Sequence, residues 1–147
     1  MQKIENENLN INLTLPLKEN LVIIPRLIIA GLLSNEKINI EEIENTKLII
    51  SEALNLLIDK TTQNKVNIDF FLEKNQEKLI LKLIIRTILT NEILQNISKS
   101  GLTVQILSYL CSKFSITEKT FNTKQPETFQ NILLNQKIIE IIIEKEL

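Results

Sequence analysis

Histidine and tryptophan are absent from the 147 residues, and cysteine, methionine and tyrosine occur once each. Without histidine the chain has neither the commonest metal ligand nor the commonest general base. The lone Cys111 excludes a disulfide within the chain and a four-thiolate zinc site. A charge surplus is missing too: 17 basic against 18 acidic side chains leave a net charge of −1. No basic stretch accumulates, so the clustered lysine and arginine footprint of a nucleic-acid binder is lacking. The longest apolar run, Leu21 to Leu33, spans 13 residues and contains Pro25 and Arg26. A bilayer span needs about 20 apolar residues, so this run reads as a core element. The opening Met1-Gln2-Lys3-Ile4-Glu5 is polar, unlike a secretory leader. These features lead us to expect a cytoplasmic domain with reduced cysteine. Glycine occurs only twice, at Gly31 and Gly101.

What is present is a pattern of alternating periods. Leu9, Ile11, Leu13 and Leu15 alternate with Asn10, Asn12 and Thr14, which predicts a half-buried strand ended by Pro16. Asn20 offers a cap for a helix from Leu21 to Ser34, with Asn35 as its stop. Asn39 and Glu42 resemble a capping box ahead of a second helix, in which Ile43, Ile50, Leu54 and Leu57 keep helical spacing through Asp59. Val66 to Leu72 and Leu79 to Arg86 then alternate on either side of Asn75-Gln76, an antiparallel hairpin. A short helix over Thr90 to Lys99 and another from Gly101 to Phe114 precede a strand from Ser115 to Phe121. The stretch from Glu127 to Leu147 suits a helix begun by Pro126 or an Ile-rich strand, and both readings stay open. This order predicts one α+β domain over 1–147: a two-layer sandwich with helices on one face of a mixed, mostly antiparallel sheet.

Two stretches carry more than periodicity. Ile24-Pro25-Arg26-Leu27 through Gly31, then Ile40-Glu41-Glu42-Ile43-Glu44-Asn45-Thr46-Lys47 and Ser51-Glu52-Ala53, keep a residue pattern over roughly forty positions. Ser100-Gly101-Leu102, followed by Leu107, Leu110 and Phe114, adds a glycine-led last helix. Together they resemble the anti-sigma-factor serine kinases of partner-switching systems, in the GHKL (Bergerat-type, histidine kinase-like) ATPase superfamily. The resemblance implies the histidine kinase-like ATPase fold, a bacterial regulatory role, and a sigma factor or STAS-type anti-anti-sigma protein as partner. It implies a homodimer as well, since the first helix and the neighbouring sheet edge contribute to dimerisation in that family.

The family's ATP site is only partly matched. Glu52 stands where the family has its general base, but the residue four further on, where a magnesium-binding Asn belongs, is Leu56. Asn55 falls one position early, about 100° round the helix from the place a ligand should point. The adenine-reading Asp-Gly at the end of the hairpin is replaced by Ile84-Ile85-Arg86-Thr87, and Gly101 lacks the second glycine of a phosphate loop. Phosphoryl transfer is mostly positioning and charge stabilisation, so these losses point to a pseudo-kinase that sequesters a protein. The expectation is no cofactor, with ATP and magnesium held by Glu52, Asn55 and Gly101 under the alternative of an active serine kinase. A dimerisation or structural module is a further alternative. Glu52 also reads as an ordinary solvated carboxylate, Arg86 as surface charge, Cys111 as a small core residue and Gly101 as a plain helix start.

Overall fold

The computed structural model describes residues 8–62, 64–120 and 137–147. Strand β1 (Asn8–Pro16) leads through a 3-10 turn at Glu19–Leu21 to helices α1 (Ile23–Ser34) and α2 (Ile40–Leu57). The hairpin of β2 (Lys65–Asn75) and β3 (Lys78–Ile88) follows, then α3 (Asn91–Ser98), α4 (Gly101–Leu110), β4 (Lys113–Thr120) and β5 (Lys137–Glu146). The five strands lie in the order β1-β2-β3-β5-β4. All four pairings are antiparallel, so the sheet expected as mixed has no parallel pair among the described strands.

Alternation builds the core. Ile11, Phe70, Leu83, Ile143 and Phe114 form one row across all five strands, facing the helices. Ile29 and Leu33 of α1 and Ile49, Ile50, Ala53 and Leu57 of α2 close over that face, all of them fully buried. Each of these Ile and Leu side chains contributes about 1.5–3 kcal/mol through removal from water. Along β5 the Ile-rich run takes the strand alternative, with Ile139, Ile141 and Ile143 buried. Residues 121–136, which include Phe121 and Pro126, lie outside the described residues.

Several boundaries move for identifiable reasons. The helix expected from Leu21 begins at Ile23, because the 3-10 turn takes up Glu19 to Leu21 and Val22 serves as the cap. Asn39 does cap α2: its Oδ1 accepts the Glu42 backbone N–H at 2.8 Å. That helix ends at Leu57 and not Asp59, since Ile58 is already extended. Phe114, expected on the last helix, sits on β4; Cys111 breaks α4 with an extended backbone. The spacing of Ile24, Leu27, Ile28 and Gly31 predicts one shared face of α1; Ile24, Leu27 and Gly31 on it are exposed and Ile28 is half-buried, while Val22, Pro25, Ile29 and Leu33 turn inward.

Between Asn75 and its partner Lys78 the hairpin turns on Gln76-Glu77, and Gln76 takes a φ of 53°. Only glycine adopts this left-handed region without steric cost. Gln76→Gly is expected to raise stability by about 0.5 kcal/mol, and Gln76→Val to lower it by about 1 kcal/mol. Urea unfolding midpoints check both.

Candidate functional site

Of the residues singled out by sequence, Glu52 and Gly101 lie at the seam between α2 and α4. Glu52 is half-buried on the flank of α2, where its Oε2 accepts the Thr103 hydroxyl of α4 at 3.4 Å. Gly101 opens α4, exposed, with no atom within 4 Å of where a Cβ would stand. Ser100 donates its hydroxyl back to the Ile97 carbonyl and does not cap α4. The fold therefore brings Glu52 to the first turn of α4. It does not bring Asn55: that side chain is exposed on the outer ridge of α2, while Leu56 is buried. The Glu-then-Asn pair of a magnesium site needs both groups on one side of the helix, and one helical step separates Asn55 from that side.

Arg86 lies elsewhere, on the sheet face opposite the helices. Its Nη1 donates to Asp69 at 2.9 Å and its Nε to Glu140 at 2.8 Å. Lys119 completes the group at 2.9 Å from Glu140, whose side chain is only 4% exposed. Burial would raise the Asp69 and Glu140 carboxyls, but Asn12 and Arg86 on the first, and Lys119 and Arg86 on the second, hold both below the usual range. The inward neighbour Thr87 is buried and donates to the Lys65 carbonyl at 2.6 Å. No carboxylate takes its place at the end of β3.

Sequence reading missed a polar knot at the C-terminus of α2. Asn64 Nδ2 donates to the Leu57 carbonyl at 3.0 Å and to Thr87 Oγ1 at 3.1 Å. Asn96 of α3 reaches the Ile58 carbonyl, also at 3.0 Å. These amides satisfy carbonyls that a helix end leaves open. Buried Asp59 accepts the Thr61 N–H at 2.9 Å, the Thr61 hydroxyl at 2.6 Å and the Thr62 N–H at 3.3 Å. The Thr61 and Thr90 hydroxyls hold its carboxyl well below the usual carboxylate range, against the opposing effect of burial. The available signal was Asp-x-Thr just beyond a helix, the pattern of an Asx turn.

Cys111 is buried, and burial pushes its thiol up to about 11, so it behaves as a core residue and not as a nucleophile. Among the described residues no three Asp, Glu or Cys side chains come together as a metal site. No described helix is long and apolar enough to cross a membrane. An open groove of about 440 Å³ runs between β1 and α1, lined by Leu9, Gly31, Leu32 and Leu72. A second of about 620 Å³ lies beside Asp59, Lys18 and Lys60. Neither is lined by Glu52, Asn55 or Gly101.

No family model and no curated protein matches the chain. Among solved structures it is similar to a chain in the crystal structure of the SiaB-SiaC complex from Pseudomonas aeruginosa, with a TM-score of 0.60 and 9% sequence identity. The match covers 91% of this chain and 89% of that one. At so low an identity the likeness is one of fold: the α+β two-layer sandwich of helices over an antiparallel sheet is shared over nearly the whole length.

Proposed function

We propose that the chain is a regulatory protein-binding domain, an anti-sigma-factor-like pseudo-kinase of the GHKL superfamily that sequesters a sigma factor or a STAS-type anti-anti-sigma protein. The observation that carries this reading is the geometry at Glu52. Among the described residues its polar partner is the Thr103 hydroxyl, the position four residues on is the buried Leu56, and Asn55 points out along the ridge. The residues present do not fit a magnesium-nucleotide group. Each preorganised group missing from such a site costs a factor of about 10²–10³ in rate. The similarity to a chain taken from a complex of two proteins supports a protein partner.

Calorimetric titration with Mg-ATP and Mg-ADP is the test, with no heat expected up to millimolar nucleotide. Micromolar binding, together with phosphoryl transfer to a STAS-type protein that Glu52→Gln abolishes, would install the active-kinase reading instead.

One further observation favours self-association. Among the described strands β1 pairs with β2 alone, and its nine residues carry no charge and a proline only at the end, Pro16, whereas the other edge, β4, carries Lys113, Glu118 and Lys119. Exposed edges are usually blunted by charge or proline. We infer that β1, with the exposed Ile23, Ile24 and Leu27 of α1, closes a homodimer.

A further inference from the structure

The seam between α2 and α4 has a second property, independent of any nucleotide. The two helices run antiparallel: Glu52 meets Thr103 at one end, while at the other Lys145 lies 2.7 Å from the Leu110 carbonyl and 3.7 Å from Glu42. On α2, Glu41, Leu48 and Glu52 follow one another at two-turn and one-turn steps; on α4, Leu102 and Tyr109 stand two turns apart. These large side chains are left exposed: 42% for Leu48, 72% for Leu102 and 88% for Tyr109. An outward Leu and Tyr at matched spacing beside a second helix is the geometry of a helix-binding groove.

Charge selects the occupant. The four helices carry five carboxylates, Glu41, Glu42, Glu44, Glu52 and Glu92, against two cations, Arg26 and Lys47. Glu42 and Glu44 are taken up by Lys145 and Lys47. Glu41 and Glu52 have no cation within 4 Å among the described residues, and α4 carries no charge at all. Like charges along the seam would repel an acidic ligand.

We propose that the α2–α4 groove docks an amphipathic helix of a partner protein, with its apolar stripe on Leu48, Leu102 and Tyr109 and its lysines or arginines against Glu41 and Glu52. This rests on the protein-binding reading above and names the chemistry of the partner. It concerns a surface other than the β1 edge.

The test uses a fluorescein-labelled 18-residue helix with leucines at i, i+3, i+4 and i+7 spacing and lysines elsewhere, beside its glutamate counterpart. Fluorescence anisotropy is expected to show the lysine helix binding at least about tenfold more tightly than the glutamate helix. Tyr109→Ala and Leu48→Ser should each weaken it by about tenfold. Glu41→Gln with Glu52→Gln should flatten its salt dependence. Leu94→Ser, on α3 and 43% exposed, should leave binding unchanged. All these side chains are surface groups, and circular dichroism verifies the fold of each variant. Equal binding of the two helices, binding of neither, or indifference to Tyr109→Ala would overturn the proposal. The nucleotide titration decides the pseudo-kinase reading separately, so the two can fail independently.

Discussion

Asp59→Ala is expected to lower the free energy of unfolding by about 2–3 kcal/mol, a fall in the thermal midpoint of about 5–10 °C for a chain of this size. The change leaves two backbone N–H groups, at Thr61 and Thr62, without their acceptor, and frees the Thr61 hydroxyl at a site where Asp59 is only 2% exposed. Because Thr90 also reaches this carboxylate, the loss should loosen the start of α3, whose N-cap is Thr90. The pH dependence has a definite sign. A carboxyl held below its ordinary value stabilises the fold fully above the unfolded-state pKa of about 3.9, and that contribution is lost as pH falls through the lower folded value. The gap between wild type and Asp59→Ala should thus be flat from neutral pH to about pH 5 and shrink only in stronger acid. Asp59→Asn, which keeps an acceptor oxygen, should recover part of the loss. A midpoint within 1 °C or so of wild type for the alanine variant would show that the knot does not hold α2 to α3.

The second large effect concerns assembly. Sedimentation velocity on the wild-type chain should give a dimer at micromolar concentration, and Asn10→Lys with Leu27→Lys should raise the dissociation constant by at least about 100-fold. Asn10 is exposed on β1 and Leu27 is 61% exposed on α1, so neither lysine disturbs the core. Across a two-fold axis each lysine would face an uncharged, partly apolar surface, and two copies would bring like charges together. A wild-type mass of one chain at 100 µM or so would remove the homodimer.

Much of this architecture could be read from periodicity, and the failures have physical causes. The alternation of Val66 to Leu72 and Leu79 to Arg86 sets which side chains enter the core, so the hairpin was legible, its strands running one to three residues further at each end. Asn39 and the glutamates after it marked the start of α2 for the same reason: a cap is a local interaction. The outward face of α1 was not legible, because isoleucine and leucine occur on every side of it and only the sheet decides which side is buried. The Ile-rich β5 was ambiguous for a similar reason; its neighbours β3 and β4 settle it, and they are distant in sequence. The fold sets Glu52 against Thr103 in the first turn of α4, whereas the knot of Asp59, Asn64 and Thr87 joins residues up to 28 positions apart, and no window shows it.

The strand order has a consequence for the making of the protein. Among the described strands β5 lies between β3 and β4, so β4 has no described neighbour in the sheet until β5 is synthesised and inserted. From Thr120, the last residue of β4, to Glu146, the last of β5, the ribosome adds 26 residues, about one to five seconds of elongation. Throughout that interval β3 offers an open, Ile-rich edge and β4 is unheld; the pairing that closes the β3 edge, Ile84 with Ile142, spans 58 positions, and β4 is held only when its Ser115 meets the same Ile142. Such long-range pairing closes slowly. The nascent chain thus passes through a state in which the hairpin is ready to pair with any strand that arrives first, and chaperone dependence should be concentrated in those seconds and absent from the finished fold.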